Sequence, residues 1–228
     1  MSMTNSAENN LLLLLFNNTN WANVGDATGL RGASAAGSFY VSLHTADPGE
    51  AGDQTTSEAT YTSYARVAVA RSGAGWTVSA NQVSNAAAVT FPQCTGGSNT
   101  ITHFGIGRTS SGSGELLFRA PVGGSAFIFT ARASDDVLVV PGISFTIDDR
   151  VSFHADPNGT LPTGVTEGTL YYVKTVSGSE ITISTSSGGA TVNLTADGYG
   201  VAVKCTPINI SNLITPSFGV GALFASAY

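Results

Sequence analysis

Apolar and polar residues alternate over short stretches along most of this chain. In "FYVSLH", Phe39, Val41 and Leu43 fall on one side and Tyr40, Ser42 and His44 on the other, the period of two that marks a strand. "YARVAVAR" repeats the pattern, with Ala65, Val67 and Val69 set against Arg66, Ala68 and Ala70. "GWTVSANQVSNAAAVTF" predicts a hairpin turning near Ser79–Gln82, and "TITHFGIGRT" and "GELLFRAPV" flank the turn sequence "SSGSG". One stretch breaks the alternation: Leu11, Leu12, Leu13, Leu14, Leu15 and Phe16 are apolar in succession, with Asn on both sides. It predicts a short helix with Ser6 as N-cap and Glu8 favourably placed in the first turn. Such a helix is apolar all round and requires cover on several sides, from its own chain or a neighbour. The run is too short for a signal-peptide core or a bilayer span, so no membrane partner is expected.

The order of elements predicts a mainly β protein. Residues 39–130 read as short strands joined by Gly/Ser/Asn turns, an antiparallel β-sandwich or open barrel behind the N-terminal helix. Residues 135–204 change character, carrying most of the Asp and a strand–turn rhythm of their own. They are read as an inserted small β module, with residues 1–134 and 205–228 forming the main unit. The C-terminal strand is then expected to pair within 39–130.

Composition sharpens this picture. Charged residues are 11% of the chain, against about 25% in ordinary soluble domains, and Gly alone numbers 27. Few long charged side chains means little side-chain entropy lost on packing against a neighbour, which suits an assembly component. A net charge of −6 and only two Lys argue against a nucleic-acid partner. Cys94 and Cys205 are far apart and show no CxxC spacing, so two free thiols are favoured, with a disulfide left open.

The densest candidate chemistry is "SLHTADPGE", where His44, Asp47 and Glu50 fall within seven positions. Asp47-Pro48-Gly49 is turn chemistry: the Asp carboxylate caps the turn, Pro fixes φ and Gly takes a positive φ. The three side chains are expected to splay apart rather than hold a metal. His103 is placed on the less buried face of its strand. His154 precedes Asp156-Pro157 much as His44 precedes Asp47-Pro48. No nucleophile elbow, dinucleotide fingerprint, HExxH or EF-hand loop is present. A loose calcium site among the paired Asp135-Asp136 and Asp148-Asp149 stays open. No catalytic residue, cofactor or metal is assigned.

Residues 39–118 carry "LHTADPGEAG", "YARVAVAR", "GWTV", "VTFPQCTGG", "ITHFGIG" and "GELLF" in that order. The combination resembles a family of tailed-bacteriophage virion proteins commonly labelled tail fiber or minor tail proteins, over roughly residues 11–130 and the C-terminal tail. The insert resembles a small β module of phage structural proteins. The resemblance implies a non-enzymatic virion component assembled in the bacterial cytoplasm. The chain lacks a long repetitive shaft, so capsid decoration (cement) is the first reading, with the major capsid protein as partner. A tail or neck component contacting tail proteins is the alternative. A carbohydrate-binding module using Trp76, Tyr171 or Tyr172 is a further one. Self-association as a trimer or dimer is expected. The candidate assembly contacts are Leu11–Leu15, Phe16, Asp47, Pro48, Glu50, Phe224 and Tyr228.

Overall fold

A computed structural model describes residues 3–24, 29, 32–124, 126–156 and 159–226. The chain divides into two compact units, Met1–Arg119 with Asn209–Tyr228, and Ala120–Ile208. Helix α1 (Asn5–Asn17) opens the first. Its cap is Thr4, two residues ahead of the expected Ser6: Thr4 is extended, and its hydroxyl accepts from the Ala7 N–H at 3.4 Å. Asn18 ends the helix in the left-handed region, a conformation Asn tolerates, and the Thr19 N–H reaches back to the Leu13 carbonyl at 3.1 Å. Leu12 and Phe16, one turn apart, face inward. The Phe16 ring meets Trp76, Phe39 and Phe118 at centroid distances of 4.9, 5.3 and 5.4 Å.

The strands of this unit are short, as a Gly-, Ser- and Asn-rich chain dictates. They are β1 (Ser38–His44), β2 (Val67–Ala70), β3 (Trp76–Ser79), β4 (Gln82–Asn85), β5 (Val89–Thr90), β6 (Asn99–Ile101), β7 (His103–Gly107) and β8 (Leu116–Pro121). One four-stranded sheet runs β2-β1-β7-β8, with β1 antiparallel to both β2 and β7. Strand β1 is buried on both faces from Val41 to His44, and β7 along its whole length. His103 therefore lies inside, contrary to the strand-face expectation, because β7 is covered on both sides and alternation no longer separates core from solvent. The β3/β4 hairpin turns at Ala80 and Asn81, with Ala80 at φ 53°, the positive φ that two-residue hairpin turns demand.

The second unit contains β9 (Ala126–Arg132), β10 (Val137–Val139), β11 (Arg150–Ala155), β12 (Tyr171–Ser177), β13 (Glu180–Ser184) and β14 (Gly198–Cys205), closed into a barrel of order β10-β13-β12-β11-β14-β9. Its core is Phe129, Phe153, Tyr171, Leu138, Ile181 and Ile183 with smaller neighbours. The sequence reading started the insert at residue 135, but β9 ladders with β14 and β10 and so belongs to the barrel. Alternation alone cannot tell which neighbour a strand will choose.

After the barrel come β15 (Ile208–Ile210), β16 (Ser217–Phe218) and β17 (Phe224–Ser226). β15 joins β6, β16 joins β5, and β17 adds to the β4-β3 hairpin. The molecule is mainly β with one short N-terminal helix.

Candidate assembly surface

The corner after β1 is built as its sequence dictates. Gly49 sits at φ 74°, and its N–H donates to the Asp47 carboxylate at 3.0 Å. Arg119 on β8 donates to Asp47 at 2.6 Å and to Glu50 at 2.5 Å. Two of the three side chains expected to splay apart therefore converge, on a cation 72 positions from Asp47. The Glu50 carboxylate is 95% exposed, so its pair with Arg119 adds little stability. Pro48 is buried under the turn.

His44 turns the other way, into the interior. Its Nδ1 lies 2.8 Å from the Thr56 carbonyl, which can only accept, so Nδ1 carries the proton. Nε2 then accepts from the Ser42 hydroxyl at 2.8 Å. A serine, an imidazole and an orienting acceptor are the parts of a nucleophilic site. Here they have no access, since Ser42 and His44 are fully buried. A Cβ on Gly105 would already stand 2.8 Å from both Ser42 Oγ and His44 Nε2, so not even a methyl group fits beside them. Burial holds the imidazole below its ordinary pKa.

The same four-residue pattern recurs in the barrel as Val151-Ser152-Phe153-His154, with Ser152 Oγ 3.1 Å from His154 Nε2. Residues two apart on a strand share a face, which explains both pairs. Ser152 is also fully buried, and Glu167 stands 3.9 Å from His154 Nδ1 in an exposed position. Of the Asp-Pro step that follows, Pro157 lies outside the described residues.

Buried polar side chains fix the long loop after the corner. Arg66 donates from Nε and an η nitrogen to both oxygens of Glu58 at 2.7 and 2.8 Å, then to the carbonyls of Thr109 and Gly112 at 3.1 and 2.8 Å. Tyr64 donates to Glu58 at 2.9 Å and accepts the Leu43 N–H at 3.1 Å; burial pushes its phenol well above the usual range. Gln54 accepts from the Thr109 N–H at 2.9 Å. The loop is thus a rigid extension of the sheet. Among the described residues, no three His, Cys, Asp or Glu gather to hold a metal ion.

The termini are equally tied down. Arg71 donates to the carbonyls of Leu15 at 2.6 Å and Leu14 at 2.9 Å and covers the Phe39 ring at 5.3 Å. It supplies to the C-terminus of α1 the cation that the helix's own last turn lacks. Asn85, fully buried, donates to the Ala87 and Gly219 carbonyls at 2.8 and 2.7 Å and accepts the Leu223 N–H at 2.8 Å. Neither Arg71 nor Asn85 carries a motif that sequence reading could single out.

Of the expected contact residues, Leu12 and Phe16 are interior, while Leu11, Leu13, Leu14 and Leu15 are half-buried. Asp47 is half-buried, Glu50 exposed, and Phe224 stands on the outer side of β17 opposite Ser84. Tyr228 lies outside the described residues. Trp76 and Tyr171 belong to the two cores, and the half-buried Tyr172 carries Arg150 over its ring at 5.1 Å. Cys94 and Cys205 are both buried and are not joined in a disulfide.

A family model described as Podophage GP4 fiber I protein gp80 matches residues 2–133. The chain belongs to this family. Membership in the gp80 family makes it a bacteriophage structural protein of fiber type. The match spans α1, the loop after β1 and the buried polar network around Arg66, and it runs on through β9. Capsid decoration finds no support in it; the tail-side alternative does. No curated protein matches the chain.

Proposed function

We propose that this protein is a fiber- or tail-associated structural subunit that docks onto other virion proteins and catalyses no reaction. The carrying observation is the gp80 family match over residues 2–133. The geometry agrees with it: the Ser42–His44 pair is fully buried, and Arg66 spends its donors on Glu58 and on the carbonyls of Thr109 and Gly112. Tail proteins replace the major capsid protein as the favoured partner, and the particle assembles in the bacterial cytoplasm. Self-association accompanies docking. The half-buried Leu11, Leu13, Leu14 and Leu15, together with Asp47, Glu50 and Phe224, remain the proposed contact residues.

Gold-labelled antibody on intact particles tests this directly. Label confined to the tail or its fibers is the expected result, and label spread evenly over the head would overturn it in favour of decoration.

A further inference from the structure

We propose that the C-terminal ribbon is the face through which two copies of this chain meet, an inference that rests on the assembly reading above. The sequence contains no Asp, Glu, Lys or Arg between Arg71 and Arg108, and none after Lys204. These two charge-free stretches are the ones the fold lays side by side. Residues 213–226 run antiparallel to 82–94: Ser226 pairs with Gln82, Phe224 with Ser84 and Ser217 with Thr90, and the Cys94 N–H donates to the Ile214 carbonyl at 2.8 Å.

Apart from Met3, the exposed large apolar side chains among the described residues of the first unit lie on the ribbon. Leu213 and Val220 are each 69% exposed, Phe224 49% and Ile214 42%. Loss of charge combined with exposed apolar side chains is what marks the core of a protein interface.

Leu213 adds an independent sign. Its φ is 70°, a left-handed conformation that costs a branched residue about 1 kcal/mol and that Asn or Gly adopts with less strain. Its N–H donates to the Cys94 carbonyl at 2.8 Å, and its own carbonyl accepts from Gln93 at 3.0 Å. The backbone is thereby locked while the side chain projects into solvent. Neither the strain nor the exposure helps the isolated subunit fold. Both are explained if the side chain enters a partner.

Charge selects the occupant. Each copy carries a net charge of −6, so two copies repel wherever their acidic surfaces face. The ribbon is the surface where like meets like without that penalty, whereas a charged partner would find no ion there to pair with. A self-complementary contact of this kind generates a two-fold pair.

Sedimentation equilibrium on the purified full chain tests the proposal. Wild type should self-associate, and more tightly as added salt screens the net charge. Leu213→Asn should weaken association at least about tenfold, while at dilutions where both proteins are monomeric its melting temperature should be unchanged or higher, because Asn fits the left-handed site. Val220→Asp should weaken association as much. A chain that stays monomeric at every concentration and salt overturns the proposal. So does association that neither variant changes, or a Leu213→Asn monomer that, at dilution, melts below the wild-type monomer. Variants that fail to join particles while wild type is monomeric would assign the ribbon to a different virion protein, again against self-contact. These outcomes are distinct from the gold-label result, which decides location whatever the oligomeric state.

Discussion

The barrel and the first unit both bury a β core in a chain of few charges, and they do it by opposite means. In the barrel every strand has two partners, so the ladder leaves no sheet edge to satisfy. Its core is built mostly of apolar residues two apart on their strands, such as Phe129 and Ala131 or Ile181 and Ile183, and its best-connected cation, Arg132, pairs with Asp135 and Glu180 out in water. The first unit is a set of small sheets whose open edges leave many backbone groups in need of partners. Buried polar side chains meet them: Arg66 takes two carbonyls, His44 one, and Asn85 two carbonyls and an N–H. Where topology closes the hydrogen bonds, apolar alternation is enough. Where it does not, stability concentrates in a few polar residues that are costly to lose.

The contrast breaks most sharply under substitution. Two compact units with separate cores should give two calorimetric transitions. Phe153→Ala opens a cavity in the barrel core and should cost about 3–5 kcal/mol in the barrel transition only. Arg66→Met should cost about 3–5 kcal/mol in the other, because it strands the largely buried Glu58 carboxylate without its cation. If either substitution moved both transitions equally, the units would be one cooperative body and the comparison would fail. Asn85→Ala comes next, at about 2–3 kcal/mol, since it orphans the Leu223 N–H and two carbonyls at once. It should also expose residues 211–226 to protease while the barrel stays resistant; uncut tails would show that the ladder alone holds the ribbon.

Local patterns were readable in the sequence because local rules cause them. The alternation in "FYVSLH" gave β1, the turn near Ser79–Gln82 gave the β3/β4 hairpin, and the apolar run gave α1. Asp47 caps its turn as Asp-Pro-Gly requires. What could not be read is pairing across distance. Arg119 gathers Asp47 and Glu50, Arg71 finishes a helix more than fifty residues away, and Asn85 holds a tail on the far side of the barrel sequence. Burial on both faces hid His103 in the same way: strand period reports a face only when one face is wet. The ribbon's lack of charge stood in the sequence as two separate stretches, and only the fold shows that they are neighbours.

The smallest expected effect is a pH dependence peculiar to the first unit. In the unfolded chain an imidazole takes up its proton near pH 6.5. Within the fold, burial lowers that value, opposed by the Thr56 carbonyl and the charge of Glu58, while Arg66 adds to the lowering and Asp47 opposes it. Between the two values the unfolded chain binds a proton that the folded chain refuses. The contribution of His44 is therefore fully present above about pH 6.5 and is lost as pH falls toward the folded value, with no further loss below it. The first-unit transition should weaken over that window by at most about 1.4 kcal/mol per pH unit from this group. His44→Gln should lose that slope, while the carboxylates titrate alike in both proteins and cancel in the difference. Equal slopes for wild type and His44→Gln would mean that the buried imidazole accepts its proton in place, with Ser42 turning its hydroxyl toward the Gly105 carbonyl, 3.4 Å away, to receive it.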